Sequence, residues 1–344
     1  MTWGRATVVI VVLLAAIWGG WWLDHYRWAG GFRTVTPHFS GSCRAVEGVP
    51  GPEDLLIDHA TGIAYISSYD RSAVRAGKAV PGAILAYDLN RADAAPKNLT
   101  PRATPDFRPH GMSLYRDAGG RAWLHVITHP PGGDAVEVFE IRGDRLTSVR
   151  TVRGAALTSA NDLAAVDAGR FYVTNSRAHA AGVRAWLEAN FRLAWANVVY
   201  YDGSRFSEAL SGVAFPNGIA ADPRTRDLYV VSSFDQAVHV YHRDAASGAP
   251  TFQRSVKVGT RLDNVNMAAN GDLWVAGRAQ YLEAPQPSQV VRISGAGSAT
   301  PRVDEVYVSS GGEFGNASAA AVHGRRLLIG ASRGTRFLDC TMSP

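Results

Sequence analysis

Residues 263–277 read DNVNMAANGDLWVAG: two oxygen donors, a short apolar run, an Asn-Gly turn and a second apolar run. Such runs with Gly/Asn/Asp turns between them are antiparallel strands joined by hairpins. Working outward, the same opening recurs at Glu53-Asp54 (PEDLLIDHATGIAYISS, 52–68) and His110 (PHGMSLYRDAGGRAWLHVITH, 109–129). It returns at Asn161-Asp162 (NDLAAVDAGRFYVTNS, 161–176), Asn217 (NGIAADPRTRDLYVVSS, 217–233) and, without a metal-grade donor, Ala317-Ser318 (ASAAAVHGRRLLIGAS, 317–332). An interval of about fifty residues is that of four-stranded propeller blades. The pattern predicts an all-β, six-bladed propeller, in which equivalent positions of every blade surround one channel. Donors scattered along the chain would then meet.

Composition narrows the function. At 46% hydrophobic and 19% charged, the 344 residues have ample material for a core. The net charge of +5 is spread thinly, mostly as Arg, with only Lys78, Lys97 and Lys257 as lysines. No basic cluster interleaved with aromatics appears, so nucleic acid is not an expected partner. Oligomeric state is left open.

The N-terminus is a different material. Arg5 precedes an apolar run from Ala6 to Leu23 that nearly matches a ~30 Å hydrocarbon core. It ends in Trp18, Trp21, Trp22, Tyr26 and Trp28, the aromatic belt of an interfacial anchor. A retained signal-anchor is favoured over a cleaved signal. The expected organisation is residues 1–29 as anchor, 30–50 as lead-in and 51–344 as propeller. Cys43 stands before the first blade and Cys340 after the last strand. Closing the ring brings them together, and a disulfide there would latch it. That bond implies an oxidising compartment, placing the propeller in a periplasm or extracellular space.

One segment breaks the strand rhythm. Residues 178–195 (AHAAGVRAWLEANFRLAW) carry apolar residues at roughly helical spacing, predicting an inserted amphipathic helix. It would serve as a lid, a substrate wall or a membrane-touching surface.

Glu53, Asn161, Asn217, Asp263 and Asn264 offer only carboxylate and amide oxygens, the ligand chemistry of Ca²⁺ rather than of zinc. A lone Asp or Asn at a strand start is ordinarily a turn cap; the conjunction carries the reading. Asp54 and Asp162, expected to alternate to the other side of their strands, suggest a second ion, with Met112 adding a backbone carbonyl. His110 and His129 are the candidate titrating groups, an imidazole being suited to take a proton from water near neutral pH. No G-x-S-x-G elbow is present. Metal-assisted hydrolysis is the expected reaction class.

The stretches EDL (53–55), PGAILAYDL (81–89), PHGMS (109–113), THP (128–130) and NDLAAV (161–166) resemble the serum paraoxonase/arylesterase family. LAWANVVYY (193–201), FPNGI (215–219), HVY (239–241), LDN (262–264) and GDLWV (271–275) continue the likeness in order. The resemblance implies a calcium-dependent lactonase that also cleaves aryl esters and some organophosphates. It implies that Glu53, Asn161, Asn217, Asp263 and Asn264 hold a catalytic calcium, and that Asp54, Asp162 and the Met112 carbonyl hold a structural one. It casts His110 as base or water-orienting residue with His129 behind it, and Phe215 as a pocket wall. The chain departs from the family at Ser176, where an acidic residue is expected, and around Tyr69–Val80. A sugar lactonase of gluconolactonase type and a non-enzymatic, calcium-stabilised binding propeller remain as alternatives.

Overall fold

Each of the six openings heads the innermost strand of an antiparallel sheet, five-stranded in the fifth blade and four-stranded in the others, in the computed structural model, which describes residues 3–282 and 284–344. The inner strands are Pro52–Asp58, Pro109–Arg116, Ala160–Ala165, Pro216–Ala221, Arg261–Met267 and Ala317–His323. Each is followed outward by three more strands, so the chain is a six-bladed propeller, as the repeat predicts.

The blades cohere through the alternation of their strands. Among the described residues, six apolar clusters each bridge two neighbouring sheets. Leu56, Tyr65 and Ile84 of the first blade meet Met112, Leu124 and Phe139 of the second. Ala319, Leu328 and Phe337 of the last meet Leu55, Ile66 and Tyr87 of the first, which closes the circle. Truncating one such buried Leu to Ala typically costs about 2–5 kcal/mol.

The ring is closed by the lead-in segment. Gly41–Glu47 pairs along Arg336–Met342 as the outer strand of the sixth blade, and His38–Phe39 edges the fifth. Cys43 sits directly opposite Cys340 in that register and the two form a disulfide. The covalent latch thus spans the seam where the first and last parts of the propeller chain meet.

Three helices occur among the described residues. The first, α1 (Trp3–Trp28), carries a stretch, Thr7–Trp28, long and apolar enough to cross a membrane. Its Val8–Leu14 surface is exposed, while its end docks on the propeller. Trp28 Nε1 donates to the Phe234 carbonyl at 2.9 Å, and Gln236 returns a bond to the Trp28 carbonyl at 2.7 Å. The short α2 (Arg71–Arg75) is capped by Asp70, whose Oδ1 accepts from Ser72 and Ala73 N–H groups. The inserted helix α3 (Gly182–Phe191) is shorter than the span 178–195 that the periodicity suggests. Glu188 is the reason at its start: its carboxylate accepts the Ala178 and His179 N–H groups and holds that backbone outside the helix. Arg192, in the left-handed conformation, ends it.

Candidate active site

The donors lie where each inner strand breaks register. Bulges fall between Pro52 and Asp54, Pro109 and Met112, Ala160 and Leu163, Pro216 and Ile219, Leu262 and Val265, and Ala317 and Ala319. The residues inside them are Glu53, His110-Gly111, Asn161-Asp162, Asn217-Gly218, Asp263-Asn264 and Ser318. A bulge suspends strict alternation and re-aims side chains.

Two glycines allow the strands to close in. A Cβ on Gly111 would stand 2.5 Å from the Asn161 carbonyl oxygen, and one on Gly218 would stand 2.6 Å from the Asn264 Cα. Both are backbone contacts that no rotamer relieves.

Polar contacts then orient each donor. Asn217 Nδ2 donates to Asp263 Oδ1 at 2.6 Å, and Asn264 Nδ2 donates to Glu53 Oε1 at 3.3 Å. With their amide nitrogens so engaged, Asn217 Oδ1 and Asn264 Oδ1 have no hydrogen-bond partner, and neither do Asn161 Oδ1 and Glu53 Oε2. Leaving buried acceptors bare is costly, by about 1–3 kcal/mol each. Four orphaned oxygens among the donors, with the Asp263 carboxylate held beside them by the Asn217 amide nitrogen, fit a hard cation. Among the described residues no three His, Cys, Asp or Glu side chains close on a metal-sized point. The set is rich in amides, as oxygen-only coordination allows.

Asp54 and Asp162 are as fully buried as Glu53. Asp54 Oδ2 accepts the Met112 N–H at 2.7 Å, and Asp162 accepts from Leu163 and Ile219 at 2.8 Å each. Burial first, then the Glu53 and Asp263 charges, push the Asp54 carboxyl well above its ordinary value. Burial, then Asp54 and Glu53, do the same to Asp162. Two acids that resist ionisation side by side call for either a proton or a cation.

His110 and His129 are in contact, with His110 Nδ1 2.8 Å from His129 Nε2. His129 Nδ1 lies 2.7 Å from Asp134 Oδ1, and Asp134 Oδ2 accepts the Ala160 N–H at 2.7 Å. Burial works to raise the Asp134 carboxyl, but the bond and charge of His129 outweigh it and hold the group ionised. An ionised carboxylate only accepts, so the proton sits on His129 Nδ1 and the next on His110 Nδ1. His110 Nε2 faces Glu53 Oε2 at 3.4 Å; the bare carboxylate would draw an N–H there, whereas a cation held by Glu53 would leave Nε2 its lone pair. Burial lowers the His110 pKa, with Glu53 opposing, which favours the neutral imidazole over its protonated form.

Asp134 and Arg278 give no local signal in the sequence, and Ser318 marks only the sixth, donor-free opening. Asp134, Ser318, whose Oγ bonds the Glu53 carbonyl at 2.6 Å, and Arg278, which pairs with Asp263 at 2.7 Å, act across turns or blades. Phe215 holds a left-handed backbone just before Pro216-Asn217 and packs on Phe234.

The arylesterase family model matches residues 41–342, nearly the whole propeller. The chain belongs to that family. It is 32% identical over 323 residues to serum paraoxonase/arylesterase 1 of Rattus norvegicus, covering 87% of this chain and 88% of that one. It is 31% identical over 314 residues to serum paraoxonase/arylesterase 2 of Gallus gallus, with the same coverage. Among solved structures, a luciferin-regenerating enzyme superposes at a TM-score of 0.58, with 14% identity over 88% of this chain and 95% of its own. A gluconolactonase of Xanthomonas campestris gives 0.57, with 15% identity over 90% and 99%. Those two likenesses bear on the fold of this arylesterase-family chain alone.

Proposed function

We propose that this enzyme is a calcium-dependent lactonase and aryl esterase, with His110 Nε2 as the base that takes a proton from the attacking water. Membership of the arylesterase family makes it a carboxylic ester hydrolase acting on small molecules. The observation that carries the finer reading is the set of bare oxygens on Glu53, Asn161, Asn217 and Asn264 beside the His110–His129–Asp134 chain. Those four residues with Asp263 would hold one calcium, and Asp54, Asp162 and the Met112 carbonyl a second, structural one. The first ion would polarise the scissile carbonyl and offset the negative charge that develops as water adds.

The chain's own groups do the rest. Asp134 fixes the His129 tautomer; His129 fixes that of His110. The free lone pair of His110 accepts the proton, and the positive charge spreads toward Asp134. Phe215 and Phe234 supply an apolar wall of the pocket. The α1 helix, with exposed Trp18 and Trp22, would anchor the enzyme in a membrane. Val183, Trp186 and Phe191 are exposed on α3, and the disulfide fits a periplasmic or extracellular location.

The test is hydrolysis by the full chain of short aliphatic, long-chain and aromatic lactones, phenyl acetate, a sugar lactone and an organophosphate triester. Turnover of hydrophobic lactones and phenyl acetate is expected. Turnover of the sugar lactone alone would move the enzyme to the gluconolactonase type.

A further inference from the structure

Beside the proposed calcium site lies a cavity of about 220 Å³ between the end of α1, α3 and the propeller, with Trp28, Phe234 and Tyr281 among its walls. Three arginines line it, of which Arg192 is paired with Asp24. Arg177 stands 5.7 Å and Arg261 5.6 Å from the centre of the Phe215 ring, and Arg261 also lies 3.8 Å from that of Tyr281. Both distances to Phe215 are within cation–π range.

Among the described residues neither Arg177 nor Arg261 has a carboxylate partner, and the nearby acids are committed elsewhere. Glu188 accepts backbone N–H groups, Asp24 pairs with Arg192, and Asp263 pairs with Arg278. An apolar-walled cavity with two uncompensated cations is short of negative charge. Burial works to raise the Tyr281 phenol, yet Arg261 and Arg278 outweigh it and lower its pKa.

The cavity adjoins the reaction centre. Phe215 and Arg261 each precede a donor, Asn217 and Asp263, by two residues on the same strand head. Two residues of strand span about 7 Å.

We propose that Arg177 and Arg261 form a subsite for a carboxylate on the acyl part of the substrate. The preferred substrates are then esters or lactones whose acyl chain ends, a short spacer beyond the scissile carbonyl, in a negative charge. Arginine suits this role because its fork matches a carboxylate in two bonds. The inference rests on the ester-hydrolase reading for its chemistry, but the subsite is separable from it.

Two matched esters test it: monophenyl glutarate, and phenyl pentanoate, the same chain length without the charge. The expected kcat/KM ratio favours the glutarate ester by about tenfold or more, the size of one charge-assisted pair, and falls as salt rises. In the Arg177→Gln/Arg261→Gln double variant the ratio drops toward unity, while Arg177→Lys/Arg261→Lys keeps part of it. Calorimetry with glutarate reads the subsite without turnover, and binding should weaken about tenfold in the Gln variant. A ratio near unity in the wild type, or one indifferent to both the Gln variant and salt, overturns the subsite and leaves the hydrolase standing. Glutarate binding that depends on the arginines, with neither ester hydrolysed, supports the subsite and removes the hydrolase reading instead.

Discussion

Glu53 sits in the barest part of the site, with one oxygen shared with Asn264 and the other without a hydrogen bond, 3.4 Å from His110 Nε2. Glu53→Gln keeps the shape and removes a charge. Turnover should fall on the order of 10²–10³-fold, the usual size of losing one positioned electrostatic group. A folded variant with undiminished turnover would contradict the calcium assignment. Asp134 acts one step further back. Asp134→Asn can donate to His129 and so admits the wrong tautomer, lowering kcat on the order of 10²-fold with KM little changed. Equal kcat would mean that the His110–His129 chain does not carry the proton. Donors at repeat positions, such as Asn161 and Asp263, are legible in the sequence because the blade period places them. Asp134, Arg278 and Arg261 are not, because each takes its meaning from a partner that only the closed ring brings near.

The propeller's strand heads were readable as turns with donors, but their bulges were not. Periodicity in apolar residues gives the face of a strand, whereas a bulge is a local exchange of pairing that leaves no pattern in hydropathy. The glycines inside them, His110-Gly111 and Asn217-Gly218, are the nearest signal. Gly218→Ala would drive a Cβ into the Asn264 backbone. It should destabilise the fold by about 1–3 kcal/mol through overpacking and weaken calcium binding. Denaturant melts and a calcium titration check both; a variant equal to wild type in each would mean that the strands give way freely. The inserted helix was legible in type and place, and its ends were not. Glu188 and the left-handed Arg192 set them through contacts outside the helical repeat.

At the scale of the molecule, the ring is held by apolar clusters at every blade junction and by the Cys43–Cys340 latch. The chain-entropy model assigns so long a loop about 5–6 kcal/mol, and measured cases fall nearer 2–5. Cys43→Ser should therefore lower stability by a few kcal/mol in denaturant melts with little change in turnover; an unchanged melt would leave the latch without a role.

Calcium should stabilise the whole ring in a pH-dependent way. The carboxyls of Asp54 and Asp162 have raised pKa values without a cation. In the metal-free fold their protons contribute stability that is lost as pH rises through those raised values. The calcium-loaded fold has no need of those protons, so the thermal shift given by calcium should widen with pH and binding should release protons. A shift independent of pH would argue against a cation at Asp54 and Asp162.

The measurement that bears most directly on the enzyme is turnover of phenyl acetate and a hydrophobic lactone by the full chain before chelation, after it, and after calcium is restored. Loss of turnover on chelation with recovery on calcium is the expected result. Turnover that persists at full rate in chelator, in protein that remains folded, would contradict calcium-dependent hydrolysis at this site.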